Sequence, residues 1–175
     1  MYIRVLQPDD TEIYWQLRLK ATKENPESFS SSFEELVDTP NLVIQDRLKS
    51  SDSQFVMGAF ADSGELIGIL GFQQELSKKF RHKGVLSGMY VDQGSQGQGV
   101  GRQLLSRMIE HIETETEIEQ LNLAVAEHNK SAKRLYETFG FTTYGLEINA
   151  MKLDEHTFVN GEYMAKQLGR RCVLS

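Results

Sequence analysis

Along the chain the hydrophobic positions change period several times, and the changes mark out elements in the order β-α-α-β-β-β-α-β-α-β-β. Ile3, Val5 and Leu6 form a short opening strand, closed by Pro8-Asp9-Asp10. Ile13, Trp15, Leu17 and Leu19 then ride on a helix for which Asp9 or Asp10 is the expected cap. Turn formers between Lys23 and Ser32 break it. Thr39-Pro40 reads as the N-cap and first-turn proline of a second helix reaching about Lys49. Apolar runs at 54–61 and 66–75, joined by Asp62-Ser63-Gly64-Glu65, read as a hairpin. The segment 73–84, carrying Lys78, Lys79, Arg81, His82 and Lys83, reads as a solvated basic connector.

The densest signal follows. Residues 85–91, Val-Leu-Ser-Gly-Met-Tyr-Val, suit a buried strand, and Val100, Leu104, Leu105, Met108, Ile109 and Ile112 then recur at helical spacing. Leu121, Leu123 and Val125 alternate in a strand at 118–126. A helix at 129–139 follows, with Gly140 placed as its C-terminal cap. The last two strands are expected at 141–148 and 163–168, separated by a polar loop around 154–161. The pattern as a whole is that of an α/β chain of the mixed α+β kind, a mixed sheet with helices on its faces.

Between the central strand and its helix lies Gln96-Gly97-Gln98-Gly99-Val100-Gly101-Arg102. Glycines here let the backbone adopt positive φ and approach a ligand closely. The free N–H groups of the first helical turn favour an anion above them, so the local reading is a phosphate or pyrophosphate cradle. It is not a Walker loop, because Arg102-Gln103 stands where Lys and Ser or Thr belong. Nor does Gly97-x-Gly99-x-Gly101 give the G-x-G-x-x-G spacing of a dinucleotide site.

Two stretches in register resemble the GCN5-related N-acetyltransferase (GNAT) family. Gln96, Gly99 and Gly101 fill the fixed positions of its Q/R-x-x-G-x-G/A signature, and Met89-Tyr90-Val91-Asp92 resembles the strand leading into it. Asn129-Lys130-Ser131-Ala132-Lys133-Arg134-Leu135-Tyr136-Glu137-Thr138-Phe139-Gly140-Phe141 resembles the later motif N-x-x-A-x-x-L-Y-x-x-x-G-F. Many members carry Pro after the Val-Asp pair and Arg at the first motif position; Gln93 and Gln96 stand there in this chain. The resemblance implies a single domain over 1–175. Its sheet would be central, mixed and mostly antiparallel, of about six or seven strands with about four helices, splayed to admit acetyl-CoA.

The resemblance also implies roles. Acetyl-CoA is the expected cosubstrate, with its pantetheine arm added like a strand along Met89, Tyr90 and Val91. N–H groups of Tyr90 or Val91, freed by a strand bulge, would polarise the thioester carbonyl. The pyrophosphate would meet Gly97, Gln98, Gly99, Val100 and Gly101, with Gln96 and Arg102 flanking. Asn129 and Ala132 belong to the cofactor-binding set, Asn129 as a helix cap in addition. Tyr136 matches the general acid that protonates the departing sulfur, a task suited to a phenol of pKa about 10. Glu127, then His128 and Glu75, are the expected bases for the amine. The acceptor pocket is expected around Arg18, Glu24, Phe29, Ser30, Ser31, Phe33 and Glu34, with Tyr144 or His156 opposite. Acidic residues near the mouth would favour a cationic amine such as a polyamine, an aminoglycoside or a protein N-terminus. The implied reaction is acetyl transfer to a primary amine of a small molecule or peptide by direct attack; the alternative is a non-catalytic acyl-CoA-binding module.

Composition narrows this little further. With 39% hydrophobic and 25% charged residues over 175 positions, the chain matches an ordinary globular protein. A net charge of −6 argues against nucleic acid as partner. No apolar run approaches the ~20 residues of a membrane helix, and the N-terminus lacks a signal-peptide core, so a cytoplasmic location is expected. The single cysteine, Cys172, permits no internal disulfide and lies outside both motifs, which disfavours an acetyl-cysteine intermediate. Four histidines show no metal-ligand spacing, and no metal is expected. A homodimer is a further expectation, with 163–168 or an exposed helix as its surface.

Overall fold

Seven strands form one sheet in the order β1-β2-β3-β4-β5-β7-β6. The computed structural model describes residues 1–169, so Cys172 lies outside the described residues. The strands are β1 (Tyr2–Val5), β2 (Gln54–Phe60), β3 (Leu66–Gln74), β4 (Lys83–Val91), β5 (Gln120–Ala126), β6 (Thr142–Lys152) and β7 (Phe158–Gln167). The helices are α1 (Thr11–Glu24), α2 (Phe33–Leu36), α3 (Asn41–Leu48), α4 (Val100–Glu115) and α5 (Lys130–Thr138). All neighbours pair antiparallel except β4 and β5, which run parallel.

Side-chain alternation along the strands feeds two cores. On one face Leu86 of β4 and Leu121 and Leu123 of β5 pack with Leu104, Leu105, Met108 and Ile112 of α4. On the other, Ile69 and Tyr90 pack with Tyr14, Trp15 and Leu17 of α1 and Ile44 and Leu48 of α3. Every apolar position expected on α4 is buried. The hairpin turn also stands as expected, with Gly64 at φ +88°.

Two departures from regular pairing shape the site. Ile69 pairs with Tyr90 but Gly71 pairs with Ser87, so Leu70 alone faces Gly88 and Met89. This is a bulge in β4, and Gly88 takes φ +63° within it. Met89 therefore shares a face with Leu86, three residues back, and Tyr90 goes to the other core. The second departure is the β4–β5 pairing, which comprises Lys83–Gln120, Gly84–Leu121 and Val85–Asn122 only. From Leu86 and Leu123 onward the strands diverge.

Several expected boundaries move. Asp10 occupies the N-cap position of α1 without capping it. Its carboxylate instead accepts from the Gln7 N–H at 2.8 Å and from Arg4 at 2.6 and 2.7 Å. Pro40, not Thr39, is the N-cap residue of α3. The turn α2 was not expected; Ser32 and Glu35 bracket it in a capping box. The basic connector shrinks to 75–82, because β3 and β4 extend into both its ends. Strand β7 starts at Phe158, inside the expected polar loop, and β6 runs on to Lys152.

Candidate active site

Where β4 and β5 part, a cleft of about 790 Å³ opens between them. Beyond Val85 the β4 edge facing β5 has no strand against it, so its backbone groups are available to whatever occupies the cleft. Met89, Tyr90, Val91, Gln96, Gly97, Gly99, Val100, Gly101, Arg102, Asn129, Ala132 and Tyr136 all line it. The residues expected at the cofactor site thus come together in one cleft from β4, the glycine turn, α4 and α5. Gln98 stands apart, its Nε2 donating back to the Gly94 carbonyl at 3.0 Å.

At the open end of β4 the chain makes a 3-10 turn at Gln93–Ser95, stabilised by the Asp92 carboxylate accepting from the Gly94 N–H at 3.1 Å. Gly97 and Gly99 then take φ +73° and +80°, and Gly99 caps α4 without any side chain. A Cβ at Gly97 would meet no atom within 4 Å, so that room belongs to the cleft rather than to packing. Gly101 serves differently: a Cβ there would approach Met89 Cε to 3.2 Å, so the glycine lets α4 sit against β4 without shifting that side chain. Open N–H groups of a first helical turn beside positive-φ glycines fit a pyrophosphate, and Arg102 lies alongside. The Gln96 amide is partly committed, donating to the Val91 carbonyl at 3.0 Å.

On the opposite wall, the Asn129 Oδ1 accepts from the Ala132 N–H at 3.0 Å and caps α5. The other end of α5 closes in a Schellman arrangement: Gly140 N–H reaches the Glu137 carbonyl at 3.0 Å, and Phe141 N–H reaches the Tyr136 carbonyl at 3.2 Å. Phe141 also packs edge-on against the Tyr136 ring, centroids 5.8 Å apart. The capping motif thus fixes Tyr136. Its hydroxyl donates to Met89 Sδ at 3.3 Å, and burial pushes its pKa up to about 12.

The expected bases are less well placed. Glu127 lies one residue past the cleft-lining Ala126, and its Oε2 accepts from Asn160 Nδ2 at 2.8 Å. His128 is exposed, 4.0 Å from the Glu27 carboxylate. Glu75 sits beyond the paired, closed end of β4 and β5, away from the cleft. Glu27, which the sequence reading passed over, lines the cleft. Of the expected acceptor wall, Arg18, Phe29 and Ser30 line the cleft, whereas Ser31, Phe33, Glu34, Tyr144 and His156 do not. Glu24 reaches the site indirectly, accepting from the Tyr90 hydroxyl, which burial and this carboxylate hold well above the usual phenol range. Asn160 was missed because β7 was expected to start at 163, and Tyr163, expected only as strand or dimer surface, lines the cleft as well. Among the described residues no cluster of three or more potential metal ligands occurs, and no helix is long and apolar enough to cross a membrane.

A splayed parallel pair ending in a glycine turn defines a class. The chain belongs to the Acetyltransferase (GNAT) family, whose model matches residues 14–141. It is 31% identical over 94 residues to a spermine/spermidine N(1)-acetyltransferase of Bacillus subtilis, a match covering 51% of this chain and 62% of the relative. It is 27% identical over 132 residues to a spermidine N(1)-acetyltransferase of Vibrio cholerae, covering 75% of this chain and 68% of that one. The fold is shared with a GNAT-family acetyltransferase of Streptococcus pneumoniae, with a TM-score of 0.86 at 24% identity over 96% of this chain and 99% of the other.

Proposed function

We propose that the chain transfers the acetyl group of acetyl-CoA to a primary amine by direct attack in a ternary complex. The observation that carries this reading is the placement of the Tyr136 hydroxyl inside the cleft between the diverging strands, with a thioether sulfur as its partner. The free edge of β4 would hold the pantetheine arm by main-chain hydrogen bonds, and the turn at 97–102 the pyrophosphate. The bulge at Gly88–Met89 would leave backbone donors for the thioester carbonyl, an arrangement worth roughly 3 kcal/mol of transition-state stabilisation.

In the transfer a C–N bond forms between amine and acetyl carbon, and the C–S bond breaks. Tyr136 gives its proton to the leaving sulfur and regains, through solvent, the one the attacking nitrogen sheds as the amide forms; a pKa near 12 keeps the resting phenol protonated at every physiological pH. An ammonium of pKa about 10 must first lose a proton. Glu127 is assigned that task through solvent beside Asn160, and Glu27 is the carboxylate in the cleft itself. Relatives named for polyamines support an amine acceptor.

The test is thiol release from acetyl-CoA against a panel of amino acids, polyamines, aminoglycosides and N-terminal peptides, with products confirmed by the mass gain of one acetyl group. Turnover with one chemical class supports the reading. Acetyl-CoA binding without turnover on any member would favour a non-catalytic acyl-CoA-binding module instead.

A further inference from the structure

Arg18 projects from α1 into the cleft, where it meets the bulge in β4. Its guanidinium lies over the Phe29 ring, 4.4 Å from the centroid. A Cβ on Gly88 would fall 2.6 Å from Arg18 Nη1, so the positive-φ glycine is what lets the guanidinium reach the backbone there. Arg18 Nε is sealed from solvent with no hydrogen-bond partner. Among the described residues, neither its Nε nor its two terminal nitrogens form a hydrogen bond or ion pair, and its charged neighbour is another cation, Arg47.

A half-buried guanidinium with its Nε sealed and no anion beside it is costly, and native proteins usually pair such a group. In this cleft a ligand can supply the partner. Two carboxylates nearby are otherwise engaged, Glu24 accepting from Tyr90 and Asp92 pairing with Lys20, and Glu27, in the same cleft, forms no hydrogen bond or ion pair with Arg18. The pyrophosphate of the cosubstrate is assigned to the turn at 97–102, and Gly88 lies three residues before Val91, about 10 Å back along the strand. The thioester and acetyl group carry no charge in the ground state, and the oxyanion that develops during transfer is assigned to the N–H donors of the bulge. The remaining oxyanion is one on the acceptor.

We propose that Arg18 binds the carboxylate of the acceptor, so that the preferred substrate is a small amino-acid-like amine rather than a polyamine. The inference rests on the acetyl-transfer reading above. Arginine presents a planar fork matched to a carboxylate, and the stacked Phe29 ring fixes its plane. Glu27, in the same cleft, faces the ammonium end of such a zwitterion. A polyamine would bring further cations toward that guanidinium, with Glu27 the one carboxylate lining the cleft among the described residues.

The experiment compares methionine, phenylalanine and lysine with their amides and their decarboxylated amines, together with spermidine, on wild type, Arg18→Met and Arg18→Lys. For at least one amino acid, wild-type kcat/KM is expected to exceed that of the amide and the decarboxylated amine by about 100-fold. Arg18→Met is expected to remove that preference, Arg18→Lys to restore part of it, and acetyl-CoA affinity to stay within about threefold. Wild-type preference for spermidine, or an equal loss on carboxylate and carboxylate-free amines in Arg18→Met, would overturn the proposal. Calorimetric titration of the same amines into the protein saturated with CoA separates this from failure of the acetyl-transfer reading. Arg18-dependent binding of an amino acid without turnover upholds the Arg18 assignment while that reading fails; no binding, or binding indifferent to Arg18, overturns the assignment.

Discussion

The Tyr136 hydroxyl on α5 donates to Met89 Sδ on β4 across the root of the cleft, 3.3 Å away. A thioether is a weak acceptor, so the phenol is held in place mainly by its ring packing and is readily given to another sulfur.

Tyr136→Phe should therefore lower kcat at least tenfold while leaving acetyl-CoA affinity nearly unchanged, an effect of about 1.4 kcal/mol or more on the barrier. Steady-state kinetics with the best amine of the panel decide it. Full turnover in the variant would take Tyr136 out of the mechanism.

Burial raises the Tyr136 pKa above its unfolded value near 10, to about 12. The folded state thus holds the phenolic proton more tightly, and the stability this represents is complete below pH 10. It is lost as pH rises from about 10 to 12. Tyr136→Phe should flatten part of the alkaline fall in stability across that window, measured by urea denaturation at successive pH values. An identical slope in wild type and variant would contradict the assigned shift.

Gly97 and Gly99 both stand at positive φ beside open cleft space. Replacing either with Ala adds about 1–2 kcal/mol of backbone strain and places a methyl group where the pyrophosphate is assigned. The dissociation constant for CoA is expected to rise at least tenfold, whereas that for pantetheine, which lacks the pyrophosphate, should change little. Equal weakening of both ligands would move the phosphate site elsewhere.

Gly140, at φ +85°, closes α5 and so determines where Tyr136 lies. Gly140→Ala should destabilise the fold by about 1 kcal/mol. It should also reduce kcat more than it raises KM for acetyl-CoA, because the glycine turn is on another helix. A variant that loses stability alone would uncouple the cap from catalysis.

How much of this was legible beforehand follows from where each residue's constraint comes from. The α4 stripe from Val100 to Ile112 answers to one core, so its period shows through the sequence. Strand β6 is almost wholly exposed, with Tyr144, Leu146 and Ile148 open to solvent, so no inside-outside alternation marks its length. That is also why β7 was expected five residues late and Asn160 went unseen. Ser32 and Glu35 did carry a readable capping signal for α2, which was passed over. Glycine motifs marked one wall of the cleft because backbone conformation leaves a trace in residue type. Arg18 was read only as one residue of the acceptor wall: its isolation depends on the bulge at Gly88 and on the ring of Phe29, which only folding brings together.

The parting of β4 from β5 has a thermodynamic side. Three residue pairs join one half of the sheet to the other, and the cleft occupies what would have been the rest of the seam. A pantetheine arm laid along β4 would supply rungs that the polypeptide lacks, so the cosubstrate would act as part of the scaffold as well as a reactant. A ligand at a hundred times its dissociation constant adds about 2.7 kcal/mol to the folded state. Amide exchange should then slow on both sides of the seam together when CoA binds, and the loaded protein should resist heat and proteolysis as a more unified body than the free one.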